Sequence, residues 1–346
     1  MFSKNLKYYR LKNKLSKKAL AEMIKVTPMT ITHYENGDRM PTAENLNALA
    51  GALGVKVSDF LAVRNGNPSF HHGEFRKTTS LSQMQQEYIR ESVEEYFSRF
   101  LDIVEILGGD VLPEAPTCHA LKLSENNEEN AKELREHLGF AKNGPIEDLI
   151  GQLENKGILI FECPVDASSF SGMNGFVNGR PYIVFNPNMS AERNRSTIAH
   201  ELAHLMFDWS VQTAENEAES TATAISGAFL FPKEDAVREL GVKRSVVSGE
   251  MIMVAKEYGI SMMMLVKRAE VCGIISDSVA KGFYISASRN GWKTNEPSRI
   301  KPEKPELFEQ LVYRAVSEEE ISLQRGAELL QKPYTEVAAM CRLSEV

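Results

Sequence analysis

The 346-residue sequence has few cysteines, no long apolar run and no segment typical of a secretion signal. The four cysteines contain no Cys-x-x-Cys pair, which indicates reduced thiols rather than a disulfide framework: Cys118, Cys163, Cys272 and Cys341. No stretch of roughly 18 apolar residues occurs, so no membrane span is expected. The first residues lack the apolar core of a signal peptide, and we expect a cytoplasmic protein.

The composition is that of a soluble globular protein, with 42% hydrophobic and 25% charged residues. The net charge of −7 is unevenly distributed. Residues 1–63 carry ten basic and five acidic side chains, a net +5, which leaves −12 on the rest of the chain. A small basic segment on an acidic body predicts that only the first domain meets nucleic acid.

The feature with the most specific chemistry is a His-Glu-x-x-His sequence, His200-Glu201-Leu202-Ala203-His204, inside an apolar run with helical spacing. Positions i and i+4 lie on one face of a helix, so both imidazoles can bind the same metal ion. Glu201 is displaced by one position, close enough to reach a water on that ion. Two histidine ligands, one carboxylate base and an open coordination position are typical of a zinc protease.

An acidic stretch follows at residues 215–222, and a carboxylate is a common third protein ligand of such sites. We therefore expect Zn2+ as the cofactor. Glu201 would take a proton from the attacking water and later pass it to the leaving amine. The alternative is two histidines on an ordinary amphipathic helix, and the acidic stretch argues against it.

The basic first 63 residues have the pattern of five short helices. Ser16 is an N-cap for the second helix, and Thr27 followed by Pro28 begins the third. Gly54 is a natural stop for the fourth. Three motifs resemble the Cro/CI-type (XRE) helix-turn-helix: Ser16-Lys17-x-x-Leu20-Ala21, Val26-Thr27-x-x-Thr30-Ile31-x-x-Tyr34-Glu35-Asn36-Gly37 and Arg39-Met40-Pro41-Thr42.

The resemblance implies that the third helix enters the major groove of a double-stranded DNA operator. The side chains expected nearest the DNA are Lys17, Thr27, Met29, Thr30 and His33. Lys17 stands where the family usually has glutamine, and a lysine suits a phosphate but lacks the bidentate chemistry of an amide. Pro28 also replaces a more usual polar residue, so the motif does not reveal the operator sequence.

Two blocks are similar to the ImmA/IrrE metallopeptidase family: Arg193-Asn194-Arg195-Ser196-Thr197-Ile198-Ala199-His200-Glu201-Leu202-Ala203-His204-Leu205 and Glu219-x-x-Ala222-x-x-Ile225-Ser226-Gly227-Ala228-Phe229-Leu230-Phe231-Pro232. Alignment on Pro232 places the family's third metal ligand on Glu219, with Glu217 as the alternative. Thr223 and Ile225 replace the more usual asparagine and phenylalanine, which leaves the phase of this helix open.

The same resemblance makes Cys163 a candidate regulatory thiol. Some members of the family are held inactive by a cysteine thiolate that binds the zinc in place of water. Cys163 follows the first strand predicted in the peptidase domain. The alternative role for this residue is that of a small buried hydrophobic side chain.

The expected fold is mainly α-helical with a small β-sheet. The predicted regions are a five-helix helix-turn-helix domain at 1–63, a linker and long helix at 64–112, a peptidase core at 113–232 and a helical regulatory or dimerisation region at 233–346. The peptidase core is similar to the minimal α+β core of zincin proteases. Within these regions we expect a helix at 82–107, strands at 158–161 and 182–186, and turns at 172–178.

These features predict a DNA-binding regulator whose zinc endopeptidase cleaves a regulatory protein. The resemblance implies that the substrate is a helix-turn-helix repressor and that the trigger is a stress signal such as DNA damage. A homodimer is compatible with the C-terminal helices. Two alternatives stay open: the peptidase fold could be only a sensor or zinc-stabilised scaffold, or the protein could be the antitoxin of a toxin–antitoxin pair.

Overall fold

The computed structural model describes residues 2–62, 68–73, 81–166, 170–209, 213–292 and 295–341. The described chain is mainly helical with a small mixed sheet, which confirms the expected fold class. Two compact units are present. One contains the described residues of Met1–Phe70, Phe75–Val111 and Phe308–Val346, and the other contains those of His71–Glu74 and Leu112–Leu307. The segment 233–346, predicted as one region, is divided between them.

The first unit begins with the helix-turn-helix: α1 (Phe2–Lys12), α2 (Lys17–Met23), α3 (Pro28–Asn36), α4 (Ala43–Leu53) and α5 (Val57–Leu61). The hydroxyl oxygens of Ser16 and Thr27 accept backbone N–H groups three residues later and cap α2 and α3. Gly37 ends α3 at a φ of 81°, a left-handed conformation that glycine adopts readily. The helices share one apolar core, which includes Leu6, Leu20, Ile31, Tyr34, Leu49 and Phe60.

The long helix predicted over 82–107 is also present in the first unit. The helix α6 (Gln83–Ile106) begins at the N-cap Ser82. It follows a short strand, β1 (Phe70–His72), in which His71 and His72 belong to the second unit. Ser82 and Gln85 form a reciprocal capping box, which satisfies two backbone N–H groups at the start of α6. α1 packs against α6, and Lys7 Nζ lies 2.9 Å from Glu91 Oε1.

The second unit holds the metal motif and two small sheets. Its elements to this point are β2 (Leu121–Lys122), α7 (Asn127–His137), α8 (Leu149–Glu154), β3 (Leu159–Glu162), β4 (Gly172–Val177), β5 (Arg180–Phe185), α9 (Ala191–Met206), β6 (Phe207–Asp208) and α10 (Glu215–Leu230). The larger sheet has the order β1-β4-β5-β3, in which β3 is parallel and β4 antiparallel to β5. The helix α9 packs on β4, β5 and α10.

Residues 172–178, expected as turns, instead form the strand β4 as far as Val177. The turn is confined to Asn178 and Gly179, both at positive φ (49° and 79°), and it joins β4 to β5 as a hairpin. An Asn-Gly pair is a strong hairpin signal, because both central positions of a type I′ turn need positive φ. The glycines of this strand suggested a loop, but they are required where other backbone and side-chain atoms approach closely.

Further helices complete both units: α11 (Lys233–Leu240), α12 (Met251–Tyr258), α13 (Met262–Val271), α14 (Asp277–Arg289), α15 (Leu307–Ser317), α16 (Leu323–Leu330) and α17 (Tyr334–Cys341). The apolar sides of α11–α14 join the core that contains α9 and α10. α15 from Phe308 onward, α16 and α17 belong to the first unit, where Phe308 stacks on Phe100 of α6 at a centroid distance of 5.4 Å. Within the described chain, no helix is long and apolar enough to cross a membrane.

Glu154, the last residue of α8, provides a test of stability against pH. Its carboxylate is 4% exposed and accepts the backbone N–H groups of Glu306 and Leu307. Burial raises its pKa from 4.5 to about 7, although these hydrogen bonds lower it. Because the pKa is raised in the folded state, the stabilising contribution is complete below about pH 4.5 and is lost as pH rises through 7.

We expect Glu154→Gln, which cannot ionise but can still accept both N–H groups, to remove this pH dependence. Relative to the unsubstituted protein, the variant should gain roughly 1–3 kcal/mol in free energy of unfolding between pH 5 and pH 8. Urea unfolding at both pH values measures the gain. The exposed Glu125→Gln is the control. An identical pH dependence in Glu154→Gln and the unsubstituted protein would contradict the assignment.

Candidate functional site

The two histidines of the metal motif lie on α9, which begins after Ser190. The Ser190 hydroxyl accepts the backbone N–H of Arg193 at 3.3 Å and caps the helix. Burial of the apolar residues of α9 orients the helix, because Ile198, Leu202 and Leu205 are all inaccessible to solvent. The Nε2 atoms of His200 and His204 are 3.1 Å apart. The predicted spacing of one helical turn therefore brings both nitrogens to the same point.

The third group is the carboxylate of Glu219 on α10. Its Oε2 lies 3.3 Å from His200 Nε2, and its Oε1 lies 3.3 Å from His204 Nε2. Among the described residues, these three side chains form a group whose ligand atoms all lie within 4.8 Å of one another. Glu217, the alternative ligand, is exposed in the first turn of α10 and lies outside this group.

The two histidine nitrogens and the Glu219 carboxylate lie close enough together to bind one zinc ion. Zinc binds histidine nitrogens and carboxylate oxygens at roughly 2.0–2.1 Å, and a tetrahedron with such bonds has edges of about 3.3–3.4 Å. The two Nε2 atoms are 3.1 Å apart, close to this edge length, and each nitrogen lies 3.3 Å from a different oxygen of the Glu219 carboxylate. Two imidazoles and one carboxylate are also a donor set of catalytic zinc, in which the fourth position is left for water or substrate.

The strand β4 holds Glu201 beside the candidate metal-ligand group, which consists of His200, His204 and Glu219. It is 5% exposed, and its Oε2 accepts a hydrogen bond of 2.7 Å from the Asn174 side-chain amide. Gly172 lets α9 pack closely on β4, because a Cβ atom there would lie 2.5 Å from Thr197 Cγ2 and 2.7 Å from Val184 O. One carboxylate oxygen of Glu201 is thus fixed by the sheet. Asn174 has no recognisable motif in the sequence, because the glycines around it predict a turn rather than the strand β4.

Thr223 orients His200 from the side opposite to the metal-ligand group. Its hydroxyl donates to the backbone carbonyl of Glu219 at 2.8 Å, so the single hydroxyl proton is already used. The same oxygen lies 3.3 Å from His200 Nδ1 and can only accept there. Metal binding through Nε2 would leave the proton of His200 on Nδ1, where the Thr223 oxygen can accept it.

Removal of this acceptor should weaken zinc binding without changing the ligands themselves. We expect Thr223→Val to lower the affinity for zinc about tenfold, the lower end of the range for a partner behind a metal ligand. Thr223→Ser, which keeps the hydroxyl, should restore it. Competition titration against a zinc chelator measures the affinity, with Thr221→Val on the same helix as the control. Equal affinities of Thr223→Val and the unsubstituted protein would argue against the orienting role.

Trp209 fixes the second imidazole from the end of α9. Its ring centroid lies 5.1 Å from that of His204, at an interplanar angle of 39°. The indole Nε1–H donates to the carbonyl of Ala203 at 3.3 Å, which holds the ring against the helix terminus. The strand β6, which begins at Phe207, pairs in parallel with β2 just before Trp209. The end of α9 is thus held by the Trp209 hydrogen bond and by the pairing of β6 with β2.

Cys163 directly follows β3 and is fully buried. Its backbone N–H donates to the carbonyl of Phe185 at 2.9 Å, which holds the segment against β5. Among the described residues, the group that can hold a metal does not include Cys163. Regulation by this thiol stays a prediction, and it would require Cys163 to move to the zinc. All four cysteines are thiols and none is in a disulfide.

The predicted DNA contacts lie on α2, α3 and their caps. Met29 is 62% exposed, and the hydroxyl oxygens of Thr27 and Thr30 lie 2.9 Å apart at the start of α3. His33 Nδ1 lies 3.1 Å from Asp38 Oδ2. Lys17 Nζ lies 3.5 Å from Glu35 Oε2, so this lysine also belongs to a fold-stabilising network.

The Lys17 network is centred on a buried ion pair. Arg10 Nε lies 2.5 Å from Glu35 Oε1, and both side chains are less than 5% exposed. Arg10 also donates to the carbonyl of Leu15 at 2.8 Å. Because a carboxylate shared between two cations keeps both close, Glu35 holds Lys17 at the start of α2.

Two regions of the sequence match models of known families. Residues 6–60 match the helix-turn-helix family, and residues 153–270 match the IrrE N-terminal-like domain. The chain thus combines an XRE-type helix-turn-helix with an IrrE N-terminal-like, peptidase-type domain. The second match includes the complete metal-ligand group and Glu201. No curated protein compared with the sequence matches it.

Proposed function

We propose that this chain, a regulator that joins an XRE-type helix-turn-helix to an IrrE N-terminal-like domain, is a zinc-dependent endopeptidase that cleaves a regulatory protein. The observation that carries the proposal is the convergence of His200, His204 and Glu219 in one group that can hold a metal ion. Glu201 lies on the same helix and is oriented by Asn174. A domain that was only a scaffold would need the three ligands but not an oriented Glu201.

The residues of the site have distinct roles in peptide hydrolysis. His200, His204 and Glu219 would hold zinc, which supplies Lewis-acid chemistry that acidifies water and polarises a carbonyl. Glu201 accepts a proton from the attacking water on the carboxylate oxygen that Asn174 does not occupy. Glu201 then delivers this proton to the leaving amine, so the same group acts as base and acid. Asn174, Thr223 and Trp209 position these groups and do not react.

The proposed substrate is a helix-turn-helix repressor, and the proposed trigger is a stress signal such as DNA damage. The family resemblance supports both. DNA binding by the first domain suggests a cytoplasmic protein and would bring the peptidase to proteins at the same operator. A homodimer would bring two such sites to one palindromic operator. Cleavage can then act on a partner repressor or on a second copy of this chain.

The proposal is tested by incubation of the zinc-loaded protein with the purified products of the adjacent genes. New N-termini, identified by mass spectrometry, should form with the unsubstituted protein and not with Glu201→Gln. If no product forms although the protein binds zinc, the domain is a sensor or scaffold. If an adjacent product is a toxin that this chain neutralises without cutting it, the antitoxin alternative is correct.

The DNA-contacting role of α3 is tested at Met29, which is exposed and unrelated to the core. We expect Met29→Ala to weaken binding to the DNA upstream of the protein's own gene roughly fivefold, or about 1 kcal/mol. The salt dependence should not change, because no charge on a phosphate contact is removed. Band-shift titrations measure both. Met253→Ala, an exposed methionine of the other unit, is the control, and equal affinity for Met29→Ala would contradict the role.

A further inference from the structure

The outer edge of β4 is occupied by a segment of the same chain. In the order β1-β4-β5-β3, β4 lies between β5 and the three-residue strand β1. Gly73, directly after β1, donates its backbone N–H to Asn174 O at 2.8 Å, while His71 O lies close to Gly175. A step back along β1 is thus a step forward along β4, so the two strands run antiparallel.

The fit of this segment depends on two glycines. A Cβ atom at Gly73 would lie 2.7 Å from Asn174 O, and one at Gly175 would lie 2.6 Å from His71 O. Both distances are shorter than a carbon–oxygen contact permits, so each strand has a glycine where the other approaches. A side-chain contact adds to the backbone pairing, because His72 Nδ1 lies 2.7 Å from the hydroxyl oxygen of Tyr182.

The strand that β1 covers also contacts the proposed catalytic base. Asn174 accepts the N–H of Gly73 with its backbone carbonyl and donates to Glu201 with its side chain. A single residue of β4 therefore connects β1 to the proposed catalytic base. An extended peptide that added itself to β4 would pass over Asn174, and an exposed strand edge is a general binding site for extended peptides.

We propose that β1 and Gly73 occupy, in cis, the edge of β4 that a protein substrate must take, and thus act as an internal competitor of the peptidase site. The inference rests on the proposed function. A three-residue strand contributes few hydrogen bonds, so it can be displaced. Because β1 belongs to the same chain as β4, its competition with a substrate is intramolecular and does not depend on protein concentration.

The test replaces Gly73 by alanine, whose Cβ would collide with Asn174 O and push β1 off the edge. Gly73→Pro should also displace β1 from β4, because it removes the backbone N–H that the Asn174 carbonyl accepts. Gly249→Ala is the matched control, since a Cβ atom there meets nothing within 4 Å. All proteins are compared as full chains.

Two measurements are made. Hydrogen–deuterium exchange of the β4 amides in metal-free protein should accelerate at least tenfold in both Gly73 variants and not in Gly249→Ala. The zinc-loaded proteins are then given a library of tryptic peptides from a bacterial lysate. The initial rate of Glu201-dependent cleavage at low peptide concentration should rise several-fold in the Gly73 variants. The rate at saturating concentration should stay constant, as expected when a competitor is removed.

The outcomes separate the inference from the function on which it rests. Unchanged exchange in both Gly73 variants would overturn the inference, because β1 would not be what protects the edge. Faster exchange together with an unchanged low-concentration rate would also overturn it, while the peptidase function stood. Faster exchange with no Glu201-dependent cleavage in any protein would contradict the proposed function, and the inference would fall with it.

Discussion

Replacement of Glu201 by glutamine is expected to lower the rate of substrate cleavage by roughly 10²–10⁴-fold, the usual contribution of a general base and acid. Glutamine has almost the same shape, and its carbonyl oxygen can still accept the hydrogen bond from Asn174. The metal ligands are untouched, so zinc affinity should change by less than about twofold. The loss should appear in kcat rather than in KM, because Glu201 acts on the water and not on bound substrate.

The measurement combines cleavage kinetics with a zinc titration on the same preparation. Glu215→Gln is the control, since Glu215 is an exposed carboxylate at the start of α10. It should leave both cleavage and zinc binding unchanged. Cleavage at the unsubstituted rate by zinc-loaded Glu201→Gln would eliminate Glu201 as the base. Loss of zinc together with activity would instead mean that Glu201 is a ligand.

Loss of a metal ligand should have a larger effect on zinc binding than loss of any residue behind it. Loss of a residue that hydrogen-bonds to a metal ligand typically lowers metal affinity roughly 10–100-fold. We expect His204→Ala, which removes a ligand itself, to lower zinc affinity by more than this and to abolish cleavage. Zinc should also stop stabilising the protein. An ion that binds only the folded state raises the melting temperature in proportion to the logarithm of its concentration above Kd. In His204→Ala this increase should disappear.

Calorimetry or fluorescence melting across a zinc series measures this effect, together with the competition titration. His137→Ala is the control, because His137 is a half-buried histidine of the same unit whose Nε2 lies 2.9 Å from the carbonyl oxygen of Thr117. It should show the same zinc-dependent increase as the unsubstituted protein. A full zinc response in His204→Ala would mean that the ion binds elsewhere, and the site would have to be reassigned.

Local sequence signals predicted the helices and their ends. Ser16 and Thr27 are N-caps as expected, and α6 with its caps covers the predicted 82–107. The helix-turn-helix and the pairing of His200 with His204 follow from the same kind of signal, because the spacing along a helix determines which residues share a face. Within one helix, the separation of two residues along the sequence is enough to determine their separation in space.

The two domain types, the helix that carries both histidines and the residue types of the candidate metal site were thus predictable from local sequence. The packing of α10 on α9 is what places Glu219 rather than Glu217 with the histidines. Tertiary contacts also make residues 172–177 a strand, bring Asn174 to Glu201 and place β1 on the edge of β4. These contacts join residues distant in sequence. Sheet pairing depends on which strand packs against the edge, and the local sequence of one strand does not identify its partner strand.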